Sequence, residues 1–60
     1  MRDLTQGVIN SLMVEAAIAG DHQMVEICQI ASDETLSSFR REAAMRYIRD
    51  ALESRRASRA

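Results

Sequence analysis

The sequence predicts an all-α protein, a small three-helix bundle with two short helices in a hairpin and one longer amphipathic helix. Three observations carry that prediction. The 60 residues include no Pro and only two Gly, which favours uninterrupted helix over a turn-rich β fold. Apolar residues recur at helical spacing in three separate runs. Between the runs stand Gly20-Asp21 and Ser32-Asp33-Glu34-Thr35, residue types that suit helix ends.

The first helix is expected over about residues 4–19, with Asp3 and Gln6 spaced as a loose capping box. Leu4, Val8, Ile9, Leu12, Met13, Ala16 and Ala17 form its amphipathic stripe. Val14 and Ile18 lie off that stripe, beside Gly7 and Ser11, on a second face of small and β-branched residues. Glu15 is the only charge between Leu4 and Gly20. A helix apolar nearly all round is normally buried nearly all round. Gly7, Ser11, Val14 and Ile18 are therefore the expected self-association surface, and a second copy of the chain is the expected cover.

The second helix is expected over about residues 22–31, with Met24, Ile27, Cys28 and Ala31 facing inward and Val25 and Ile30 flanking. At that length it must rely on packing. The third is expected over about 34–56, with Leu36, Phe39, Ala43, Ala44, Tyr47, Ile48, Ala51 and Leu52 in its apolar stripe. Residues 54–60 carry no apolar period and are expected to fray. Residues 1–60 read as a single domain, without an internal repeat.

Size and composition narrow the function. A chain this short buries only about 60% of the surface it exposes when unfolded. Small domains compensate with disulfides, a metal, oligomerisation or tight helix packing. The single Cys, Cys28, cannot form an internal disulfide, and one Cys with one His does not make a zinc site. No metal or cofactor is expected, and oligomerisation or partner binding remains. A lone Cys fits a reducing, cytoplasmic setting. Neither a signal peptide nor a membrane span is expected, because no long apolar run is present.

The net charge of −1 hides an asymmetry: residues 1–35 hold one Arg against six acids, and residues 36–60 seven Arg against three acids. Arg matches carboxylate and phosphate geometry better than Lys does, so the second half is where a partner is expected. Arg40, Arg41, Arg46, Arg49 and Tyr47 are the candidate partner-binding residues. Arg40 falls within the apolar stripe, where two readings stand. Its stem lies along the core with the head in water, or it forms an ion pair across an interface, where Arg and aromatics occur together.

A larger protein is the favoured partner, with nucleic acid as the alternative. The break at residues 30–35 resembles the turn of a helix-turn-helix, with Thr35, Ser37, Ser38, Arg40 and Arg41 toward a groove. Against it, the turn holds two acids. Glu42–Arg46 and Arg46–Asp50 are opposite-charge i,i+4 pairs, as on a solvated helix face rather than an uncompensated basic stripe.

No catalytic residue is assigned. His22 and Glu26 stand at i,i+4 spacing, which suits a surface pair better than an acid–base couple without a third member. Cys28 on an inner face reads as a small buried hydrophobe. Arg55-Arg56-Ala57-Ser58 matches the substrate motif of basophilic kinases over only four residues.

The run Ala19-Gly20-Asp21, then Met24 and Cys28, with Ile48-Arg-Asp-Ala51 near the end, resembles a pattern in short helical proteins of bacteriophages and mobile elements. The resemblance covers about residues 14–52. It departs at the second turn, where Ser32-Asp33 carries no Gly. It implies a small helical accessory protein, an inhibitor or adaptor, and supplies no catalytic residues. The Ala-Gly-Asp corner also looks like one ankyrin-repeat turn, but no second period follows it.

Overall fold

The computed structural model describes the backbone of residues 4–59 and the side chains of residues 4–57. Three helices follow in order: α1 (Gln6–Ala19), α2 (His22–Ser32) and α3 (Ser38–Arg59). The three-helix bundle expected from the sequence is the fold observed. The order of packing is linear. α2 packs on α1 and on α3, while α1 and α3 nowhere approach within 8 Å, Cα to Cα, among the described residues.

Thr5 starts α1: its backbone is extended and its hydroxyl accepts from the Val8 N–H at 3.2 Å. Helix 1 thus begins two residues after the expected position 4, and Asp3 of the expected capping box lies outside the described residues. The Gln6 side-chain amide donates to Asn10 Oδ1 and to Ser32 Oγ, both at 2.9 Å. The second bond fastens the start of α1 to the end of α2.

The hairpin corner is local chemistry. Gly20 adopts φ 76°, ψ 18°, the left-handed conformation that costs a side-chain-bearing residue about 1–2 kcal/mol. That twist brings the Gly20 N–H to Ala17 O at 3.2 Å and the Asp21 N–H to Ala16 O at 2.8 Å, which satisfies the last carbonyls of α1. Asp21 then caps α2, its carboxylate accepting from the Met24 N–H at 3.2 Å. One residue closes one helix and opens the next.

The second corner differs from expectation. Helix 3 does not begin near Glu34. Asp33 Oδ1 accepts from the Thr35 N–H at 2.9 Å and from the Thr35 hydroxyl at 2.6 Å, and its carbonyl accepts from the Leu36 N–H at 3.2 Å. The Asp33 side chain thereby holds a turn instead of capping a helix, the competition that Asp and Ser side chains pose to helical hydrogen bonding. α3 starts only after Ser37, whose hydroxyl accepts from the Arg40 N–H at 3.4 Å and whose carbonyl accepts from the Arg41 N–H at 3.1 Å. At its far end α3 continues to Arg59, past the expected limit at Arg56.

The core is small and aliphatic. Ile9, Leu12 and Ala16 from α1, Met24, Cys28 and Ala31 from α2, and Ala44 and Ile48 from α3 are buried, with Cys28 and Ile48 fully so. Leu4, Met13, Val25, Ile27, Met45, Ala51 and Leu52 pack around them. For α1 and α2 the inner faces are those expected, except that Ala17 is exposed. The stripe expected on α3 is corrected. Phe39 is 82% and Tyr47 44% exposed, and Ala43 is exposed as well. The expected stripe was wide enough to serve two neighbours, and α3 has only one. The side carrying Ile48 faces α2, and the aromatic side has no helix opposite it.

Two outcomes check this account. Ile48→Ala should remove about 2–5 kcal/mol through the cavity it leaves. A core of this size supplies no more than about 3–5 kcal/mol, so urea melts followed by circular dichroism should find the variant largely unfolded. No atom lies within 4 Å of where a Gly20 Cβ would stand, so Gly20→Ala meets backbone strain alone. It should cost about 1–2 kcal/mol and lower Tm by roughly 4–16 °C.

Candidate functional surfaces

Two outward strips, one on α1 and one on α3, hold the residues of interest. On α1, Gly7, Ser11, Val14 and Ile18 share one side, directly opposite Ile9, Leu12 and Ala16. All four are exposed, Val14 by 60% and Ile18 by 83%. The expectation that α1 carries an apolar face beyond the one α2 covers corresponds to this surface. Beside its N-terminal half an open groove of about 490 Å³ runs toward α3, bounded by Thr5, Gly7, Val8, Ser11, Leu12 and Glu15, with Leu52 of α3 as its far wall.

On α3 the five candidate partner-binding residues separate. Arg40, Arg46 and Tyr47 are exposed and lie on the outward side with Phe39 and Ala43, since steps of three, four and seven residues keep one face of a helix. Arg49 is exposed on the flank of α3. Arg41 turns toward the corner between α2 and α3 and is half-buried. Its guanidinium acts on the Asp33 carboxylate, while its Nε is buried without a hydrogen-bond partner. Arg41 is thus less exposed than the other four. The Arg40 stem does not lie along the core, because the stripe that carries it is itself exposed.

Phe39 is the member of this surface that the sequence reading missed. It was assigned to the core because it keeps the helical period with Ala43 and Tyr47. The same period describes a core strip and an outward one equally well. Over residues 38–57, α3 carries six Arg against three acids, so the two rings stand in a basic setting.

The remaining polar groups offer little chemistry. His22 and Glu26 are both exposed on α2. Cys28 is fully buried, and burial pushes its thiol pKa up, which keeps it protonated and unreactive. Among the described residues, no group of three or more His, Cys, Asp or Glu is placed to hold a metal ion. No described helix is long and apolar enough to cross a membrane. The chain matches no family model, and neither a curated protein nor a solved structure proves similar to it.

The Asp33 corner gives a pH dependence whose sign can be worked out. The hydrogen bonds from Thr35, helped by the charge of Arg41, hold the Asp33 carboxyl below the usual carboxylate value. A lowered folded pKa contributes stability above the unfolded value of about 3.9 and loses it as pH falls through the folded value. Melts from pH 7 to pH 3 should find the native chain more stable than Asp33→Asn at neutral pH. The gap should narrow below about pH 4.

Proposed function

We propose that this chain is a small non-enzymatic protein-binding module that acts by occupying a surface of a larger protein, as an inhibitor or adaptor does. One observation carries the reading: Phe39 and Tyr47 stand exposed on one strip of α3 with Arg40 and Arg46 beside them. Aromatic residues and Arg dominate the energetics of protein interfaces. A ring as exposed as Phe39 contributes nothing to the bundle's own core. The positive balance along α3 favours an acidic surface on the target.

The reading as a binder rather than an enzyme draws on the exposure of His22 and Glu26 on α2, the buried thiol and the open groove. Enzymes gather perturbed titratable groups in a concave site. The resemblance in the Ala19-Gly20-Asp21, Met24 and Cys28 pattern suggests a phage or mobile-element accessory protein, working in a bacterial cytoplasm. The exposed face of α1 suggests that it works as a homodimer.

Affinity capture from a bacterial lysate, with and without nuclease, tests the proposal. The expected result is one stoichiometric protein that survives nuclease. Phe39→Ala, Tyr47→Ala and Arg40→Glu should each weaken its capture by roughly 5- to 1000-fold, in the range of about 1–4 kcal/mol for interface anchors. A catch that vanishes with nuclease, and weakens steeply with salt, would instead support a small dimeric DNA-binding regulator that presents α3 to a groove.

A further inference from the structure

We infer that a second copy of this chain covers the outward strip of α1, with the two α1 helices antiparallel across a two-fold axis. The inference rests on the homodimer reading above and adds its geometry: which residue meets which. It does not depend on what α3 binds.

Gly7, Ser11, Val14 and Ile18 follow one another at steps of four, three and four residues, the spacing of a helix–helix seam. The strip has a small half, Gly7 and Ser11, and a large half, Val14 and Ile18. Two such strips laid antiparallel put Ile18 over the partner's Gly7 and Val14 over the partner's Ser11, and the two-fold repeats both layers. Every layer then sets a large side chain against a small one. A parallel pairing would set Ile18 on Ile18 and leave Gly7 facing Gly7, with uneven spacing along the seam.

Gly7 and Ser11 form the edge of a groove that runs from the strip toward the inner side of α1, walled by Val8, Leu12, Glu15 and Leu52. Gly7 is the second residue of α1, and its φ is not left-handed. A Cβ there would meet nothing closer than the Thr5 hydroxyl at 3.8 Å, an ordinary contact. The space above Gly7 is free in the single chain, and a packed neighbour is what would use it.

Charge selects the occupant. No residue of the strip is charged, so a charged partner would be desolvated there without a counter-ion. The outward sides of α2 and α3 carry His22, Glu26 and the Arg residues, and neither fits. Among the exposed helix faces of this chain, the neutral one that matches this strip is the strip itself. Self-complementarity of one patch is what a two-fold dimer demands. Glu15, the nearest charge, borders the seam. In this register the two copies of Glu15 are offset by five residues, about 7.5 Å along the axis, so they do not oppose each other.

Disulfide trapping tests the register directly, because Cys28 is buried and does not compete. Full-length Ser11→Cys and Val14→Cys are prepared separately, then oxidised alone and as an equimolar mixture. The mixture should form a disulfide-linked dimer about tenfold faster than either variant alone, and Ile18→Asp in both chains should abolish the difference. No dimer in the mixture, or Ser11→Cys linking to itself as fast as the mixture does, would overturn the inference. Arg40→Glu added to both chains should leave trapping unchanged. Lost target capture with intact trapping would count only against the α3 surface, and lost trapping with intact capture only against this one.

Discussion

α2 is the constraint on which the rest of this structure depends. Eleven residues are too few for a stable helix in water, yet this helix supplies the wall against which both of its neighbours fold. Cys28 sits fully buried at its middle, with Met24 and Ala31 one turn to either side. The small Cys and Ala side chains let two helices approach it from different sides. Because α1 and α3 do not pack backbone to backbone, most of the bundle's cohesion passes through α2. Whatever loosens α2 loosens everything.

That arrangement leaves surplus surface. In a closed bundle each helix has two neighbours and buries a broad stripe; here α1 and α3 have one each. Both sequences nevertheless carry apolar residues over more of their circumference than one neighbour can cover. The surplus on α1 is aliphatic and neutral, and on α3 it is aromatic and basic. Surfaces of such different chemistry suit different occupants, and the proposed self-association falls on one and the proposed foreign target on the other.

The two corners put the same chemistry to different uses. Asp21 and Asp33 both follow a helix, and both carboxylates accept backbone N–H groups. Asp21 caps a helix because Gly20 has already turned the chain and residues 22–24 are free to wind. Asp33 follows no glycine, has Thr35 within reach of both hydrogen bonds, and holds an open turn to which Arg41 adds its charge. The result is a five-residue connection in place of the expected uninterrupted entry into α3.

The helical class, the three helices and the hairpin corner at Gly20-Asp21 are legible from the order of residues alone. These rest on interactions among residues a few positions apart: helical periodicity, one left-handed glycine and one capping carboxylate. The order of residues also marked Gly7, Ser11, Val14 and Ile18 as a face apart, since the opposite side of α1 was rich enough to be the core. Which side of α3 faces inward, and with it the exposure of Phe39 and Tyr47 and the partial burial of Arg41, follows from packing between helices. Periodicity reveals that a helix has an apolar side, but its rotation is set by where the neighbouring helices stand. Here a single neighbour, reached through the turn that Asp33 holds, selected the aliphatic side with Ile48 and left the rings to the solvent.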